Sequence, residues 1–209
     1  MVITHHGGQC VKVSLGDTTI VFDPIGKGAP VPPSRFGADI AFISLFDPLT
    51  NGAEQVAYGE KDPFVIDGPG EYEVGRVLAR GYGAPSTYGG KERITTVYLV
   101  TLEGMTIAFL GALGMPELPQ EAREAIEHID ILFVPIGGDG VLTPAEAHKL
   151  SVKLEPSIIV PIHFDGVGEK GSLEAFLKEA SSTATPVDKL TLKKKDLDGK
   201  EAEVVVIKS

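Results

Sequence analysis

The hydrophobic period of this chain changes once, near residue 115, and that change limits its fold more than any other feature. Before it, short runs alternate apolar and polar side chains between Gly, Pro and Asp, the pattern of strands and turns. Residues 10–15 partly alternate, Gly16-Asp17 is a turn dipeptide, and Thr18–Phe22 returns, which predicts a hairpin. Asp39–Ser44, Pro63–Ile66, Glu73–Arg80, Thr95–Thr101 and Met105–Leu110 are further expected strands, with a turn at Glu103-Gly104. Gly26–Gly37 and Gly81–Lys91 read as irregular loops long enough to border a site.

After the change, helical spacing alternates with short, wholly apolar runs. Pro116–His128 places Leu118, Ala122, Ala125 and Ile126 on one helical face. Asp130–Pro135 and Ser157–Pro161 are continuously apolar, as strands buried on both faces are. Thr143-Pro144-Ala145-Glu146 opens a helix with a cap, a proline at the first helical position and a capping-box glutamate. That helix ends near Leu154, before Pro156, and Ser172–Ala180 forms another. Lys189–Lys195 and Glu201–Lys208 around Asp198-Gly199 are expected to make a terminal hairpin. The sum is one domain, residues 1–209, of α+β class, with two sheets between outer helices.

Charge and cysteine usage exclude some partners. A net charge of −10 repels phosphate backbones and anionic lipid, so neither nucleic acid nor membrane is expected as a partner. No apolar run approaches the ~20 residues of a membrane span. The first residues lack the regions of a signal peptide, and one cysteine, Cys10, rules out an intrachain disulfide. A cytoplasmic location is the expectation.

Several stretches together carry a resemblance. They are Gly7-Gly8-Gln9-Cys10, Ile20 to Pro24, Ala38-Asp39-Ile40, Val65 to Val74, Ile107 to Gly114, Ile129 to Gly138, Thr143 to Ala147, and Val160-Pro-Ile-His-Phe164. In this order they resemble the metallo-β-lactamase superfamily, in its branch of small bacterial hydrolase-like proteins related to L-ascorbate-6-phosphate lactonase. The resemblance implies a four-layer αββα sandwich with zinc at one edge between the sheets. The family's metal motif, a run of histidines and an aspartate after a Ser or Thr, falls on Ser44 onward. Its positions hold Leu45, Asp47, Leu49 and Thr50. Gly8 stands at the N-terminal histidine position and Ala112 at the bridging aspartate; the loop Gly81–Gly90 has no histidine, and only His163 remains.

Leu45, Leu49 and Ala112 supply no lone pair, whereas catalytic zinc takes three protein ligands and a water. The expectation is therefore a degenerate scaffold without a bound metal or cofactor: a non-catalytic binding or assembly module, a pseudoenzyme. It would partner itself, an active paralogue or a small-molecule ligand. The cleft would be bordered by Asp47, His163, Asp23, Asp67 and Asp139. The alternative is a metal-dependent hydrolase with a rearranged mononuclear site built from His163, Asp47 and either His5 or His6. Each residue also has a plain role. Asp47-Pro48, Asp23-Pro24, Asp67-Gly68 and Asp139-Gly140 are turn formers, and His163 suits a hydrogen bond in a metal-free cleft. Cys10 has no basic neighbour to make it a thiolate.

Overall fold

The computed structural model describes Met1–Ser209 throughout. Numbered along the chain, the first sheet contains β1 (Val2–His5), β2 (Val11–Leu15), β3 (Thr18–Phe22), β4 (Ile40–Phe42), β5 (Phe64–Ile66) and β12 (Leu190–Thr191). The second contains β6 (Gly70–Val74), β7 (Val77–Ser86), β8 (Arg93–Leu102), β9 (Met105–Phe109), β10 (Ile131–Pro135), β11 (Ile158–Ile162) and β13 (Glu203–Val204). Their orders are β12-β1-β2-β3-β4-β5 and β13-β11-β10-β9-β8-β7-β6. Three helices, α1 (Gln120–Ala125), α2 (Pro144–Leu154) and α3 (Ser172–Glu179), complete the regular structure.

The continuous apolar runs follow from burial on both faces of the second sheet. Ile131, Phe133, Ile158, Val160 and Ile162 point between the sheets. Their alternates Leu132, Val134 and Ile159 pack outward with Ala122 of α1, Ala147 and Leu150 of α2, and Phe176 of α3. The period-two alternation of a strand produces this division. All three helices thus cover the second sheet. Over the outer face of the first sheet, the loop through Val31 and Phe36 and a 3-10 turn at Ala53–Gln55 take that place, packing on Val21, Ile25, Ala41 and Val56. Between the sheets the Phe22 ring lies 4.9 Å from Phe42 and 4.6 Å from Phe109, ring centre to ring centre. No helix is long and apolar enough to cross a membrane.

Local signals hold where they concern caps and tight turns. Thr143 accepts the Glu146 amide, and the Glu146 carboxylate accepts the Thr143 amide at 3.0 Å. Glu103 and Gly104, at φ +47° and +73°, turn β8 into β9 as a type I′ hairpin requires. Other expectations give way to tertiary contacts. Glu73–Arg80 is two strands, broken at Gly75 (φ +60°). The expected loop from Gly81 is strand as far as Ser86, because β7 pairs with β8 along its whole length. Gly81 serves close packing there: a Cβ would lie 2.8 Å from the Gly68 carbonyl oxygen. The helix expected over Pro116–His128 shrinks to Gln120–Ala125, since Pro119 stands immediately before its first turn. The terminal hairpin does not form. β12 pairs with β1 in the first sheet and β13 with β11 in the second, and the 3-10 turn Lys194–Leu197 between them buries Leu197.

Asp23 ties β3 to β4. It is fully buried, with φ +45°, and its Oδ1 accepts the Ser44 amide at 2.7 Å while Oδ2 lies 2.6 Å from the Ser44 hydroxyl. Burial pushes this carboxyl up to about 8, against the pull of the Ser44 bonds. The folded state therefore keeps a proton that the unfolded chain releases near pH ~4, and stability falls as pH rises through that window. Burial acts oppositely on histidines. It lowers His5 and brings His163 down to about 4, so stability from these two is lost as pH falls below ~6.5.

Chemical denaturation across pH should therefore show greatest stability near pH ~6.5. Asp23→Asn, which keeps an acceptor for the amide and offers a donor to the hydroxyl, should flatten the decline above that pH, by up to about 1.4 kcal/mol per unit. An unchanged alkaline slope in this variant would assign the decline elsewhere. Phe22→Ala should lower stability by roughly 3–5 kcal/mol in the same assay.

Candidate active site

Strand β3 runs parallel to β4 and β5, and β9, β10 and β11 run parallel to one another. The carboxyl ends of these strands carry Asp23, Ser44, Gly111, Gly137 and His163. Chain crossing at this edge is fixed by hydrogen bonds. The Ser44 carbonyl accepts the Thr96 amide at 2.8 Å and the Thr95 hydroxyl at 3.3 Å, and that hydroxyl accepts the Ala112 amide at 3.2 Å. The Gly8 carbonyl accepts the His163 amide at 2.7 Å, which joins the turn after β1 to the end of β11. His163 itself holds φ +61°, a conformation that non-glycine residues keep only where their surroundings enforce it. Gly137 permits this: a Cβ there would lie 2.5 Å from His163 Cδ2.

Of the residues that the resemblance sets at ligand positions, Leu45, Leu49 and Ala112 are buried hydrocarbon. Leu45, Ala112 and Val141 form one buried cluster against Tyr88. Leu49 is fully buried and leans on Gly8, where a Cβ would meet Leu49 Cδ1 at 2.9 Å. The buried Thr50 hydroxyl donates to the Leu45 carbonyl. Asp47 closes its own turn, accepting the Leu49 amide at 3.1 Å, and lies 3.5 Å from Arg93.

The other expected residues are dispersed. His5 is buried with both ring nitrogens facing carbonyls, those of Ile207 at 3.3 Å and Gly8 at 3.1 Å. His6 is exposed, beside the Thr4 hydroxyl and the Phe36 ring. Asp67 is exposed at the end of β5. Asp139 is exposed in a turn at φ +51°. Asp23 is occupied with Ser44. The structure does not bring His163, Asp47 and either His5 or His6 together, and nowhere in the chain do three His, Cys, Asp or Glu side chains converge on one point. Hydrocarbon at Leu45, Leu49 and Ala112 and a His5 ring held between two carbonyls do not fit a zinc ion, which asks for three or four N, O or S donors. Cys10 is buried against Ser34 and pushed up to about 12, so it is no nucleophile.

Sequence reasoning missed two residues. Gln9, fully buried, places its Nε2 2.8 Å from His163 Nδ1. Tyr88, from the turn between β7 and β8, sets its ring edge-on to the His163 ring at 5.3 Å. His163 Nε2 and Gln9 Oε1 are the only buried side-chain polar atoms in the chain without a hydrogen-bond partner. Gln9 was visible only as one letter of a motif, and its partner lies 154 residues away.

Comparisons with known proteins agree with this architecture. The beta-lactamase superfamily domain matches residues 2–163. Metal-dependent hydrolases of Bacillus licheniformis and Bacillus subtilis are 26% and 24% identical, over 78% and 79% of this chain and 85% and 86% of theirs. A Thermotoga maritima protein described as a Zn-dependent hydrolase of the metallo-β-lactamase superfamily superposes with a TM-score of 0.74 at 29% identity, covering 99% of this chain and 97% of its own. Igni18, a metallo hydrolase from Ignicoccus hospitalis, shares the fold at a TM-score of 0.70 and 14% identity, over 99% of this chain and 94% of its own. These relatives correct the expectation of a pseudoenzyme, because the proteins this chain resembles are named as hydrolases and point to hydrolase activity. The two-sheet architecture and the match over residues 2–163 place the chain in the metallo-β-lactamase superfamily.

Proposed function

We propose that this chain is a hydrolase of small polar molecules and that His163 is the group that meets the substrate. One observation carries the reading. The two unpartnered buried polar atoms of the molecule belong to one hydrogen-bonded pair, at the edge where the superfamily fold gathers its parallel strand ends. Buried polar atoms are nearly always paired, so an orphaned pair marks a place where something else completes the bonding. The hydrolase names of the relatives support the reaction class.

The pair suits proton handling. Burial keeps the imidazole neutral down to a pH of about 4. Gln9 then decides what the ring offers. With its amide donating to Nδ1, the ring proton sits on Nε2 and can be given. With the carboxamide turned over, Oε1 accepts from Nδ1–H and the Nε2 lone pair is free to take a proton. Such acid or base assistance contributes about 10²–10⁴-fold in rate.

Purified protein assayed on lactones, carboxylic esters and phosphodiesters, with added Zn²⁺ and with chelator, tests this. Turnover should fall by about 10²-fold or more in His163→Ala, while Gln9→Leu should shift the pH profile of kcat. Turnover equal to wild type in His163→Ala would remove His163 from the reaction and end the proposal.

A further inference from the structure

We propose that a groove on the helix-side face of the second sheet binds a linear aliphatic dication, a molecule with an ammonium group at each end of a hydrocarbon chain. The groove lies where β9 and β10 begin, at the end of the sheet opposite His163, so it stands apart from the hydrolase reading.

The strand register builds it. Glu73 on β6 pairs with Leu78 on β7, Leu78 with Thr101 on β8, and Thr101 with Thr106 on β9. Directly paired residues share a face, so these four stand in one row across the sheet. Glu71, Arg80 and Leu99 form the neighbouring row. Leu99 packs in the core beneath the helices, which fixes the face as the outer one. α1 stops at Ala125 and leaves the row open, so Leu78 stays 51% exposed. Beyond Thr106 the sheet is walled by Glu127, His128 and Asp130: the Thr106 amide donates to Asp130 Oδ2 at 2.7 Å, and the Asp130 amide donates to the Thr106 carbonyl at 2.9 Å. The space enclosed is about 570 Å³, a size that suits a small molecule.

The charges give the ligand class. Glu71, Glu73, Glu127 and Asp130 line the groove, against the cations Arg80 and Lys194. Both cations are already committed. Arg80 Nε lies 3.3 Å from Glu71, and Lys194 Nζ lies 2.7 Å from each oxygen of the buried Asp130 carboxylate. His128 also turns to Asp130, at 3.6 Å, and to the Ser157 hydroxyl, at 3.2 Å. Glu73 and Glu127 are left without a Lys, Arg or His nitrogen within 4.0 Å. They stand on opposite banks. From Glu73 to Thr106 is three strand spacings, about 14 Å of sheet. Between the banks lie the Leu78 and Leu99 side chains and the two threonines.

That arrangement discriminates among cations. A metal ion is one point of charge, and no three acidic or histidine side chains converge here to hold one. A monoammonium ion answers one bank and leaves the other unmatched. An anion meets two unmatched carboxylates. A diammonium ion answers both banks and lays its methylenes on the exposed leucine between them, where each CH₂ removed from water adds to binding.

The test uses the whole chain labelled with ¹⁵N and follows backbone amide shifts at constant ionic strength. The probes are 1,6-diaminohexane, hexylamine, which keeps the spacer and loses one charge, and Mg²⁺, which keeps two charges and loses the spacer. The diamine should shift the amides of Glu73, Leu78, Thr101 and Glu127 saturably, and bind about threefold or more tighter than hexylamine. Glu73→Gln and Glu127→Gln should each weaken the diamine by about two- to fivefold, the worth of one exposed ion pair, while Glu174→Gln on α3 should leave it unchanged. Equal or tighter binding of hexylamine or Mg²⁺ overturns the proposal. So do diamine shifts spread evenly over the acidic surface, or an affinity that neither Glu73→Gln nor Glu127→Gln alters.

Discussion

A buried relay of hydrogen bonds from Asp23 through Ser44 to Thr95 and Ala112 holds the rest of the edge in place. Asp23 follows β3, Ser44 follows β4, Thr95 lies on β8 and Ala112 follows β9, so the relay crosses from one sheet to the other. Hydrogen bonds are stronger in a low-dielectric interior, and an unpaired member there is more costly. The left-handed backbone at Asp23 persists because both carboxyl oxygens are engaged. The loop from Leu45 to Gly52 leaves this fixed point and returns through the Gly26 amide to the Pro48 carbonyl, at 2.8 Å.

On that frame the proposed site rests on a different set of atoms from those the resemblance implies. The resemblance sets donors where this chain has Leu45, Leu49 and Ala112; Leu45 and Ala112 pack with Val141 and Tyr88, and Leu49 is buried against Gly8. Packing of this kind excludes water as firmly as it excludes a cation. His163 keeps its place because its backbone is committed to Gly8, and Gln9 reaches its ring across the turn. A hydrolase-named kinship and a hydrocarbon-filled metal position are reconciled if the working atoms are those of the Gln9–His163 pair.

Much of the fold was legible because its signals are local or periodic. The apolar runs within Asp130–Pro135 and Ser157–Pro161 announced the strands found at Ile131–Pro135 and Ile158–Ile162, and Thr143 with Glu146 announced a helix start. Asp47 and Asp139 form the turns their neighbours suggested. What stayed hidden depends on partners far along the chain. Gly81 and Gly83 look like loop residues until β8 supplies a full-length neighbour. The segments around Asp198-Gly199 look like a hairpin until each finds a different sheet. Gln9 and Tyr88 carry no motif of their own; only the meeting of three distant segments at His163 gives them a role.

The parting of β12 and β13 has a kinetic side. Val2 sits opposite Thr191, and the His5 ring faces the Ile207 carbonyl, so β1 finds its outer neighbour only in a segment far along the chain. During synthesis β1 must wait with one edge bare, its backbone groups free to pair with any passing strand. Closure of both sheets is thus a late, long-range event, the kind that slows folding and lengthens exposure to aggregation. A net charge of −10 opposes the approach of a second such chain to that bare edge.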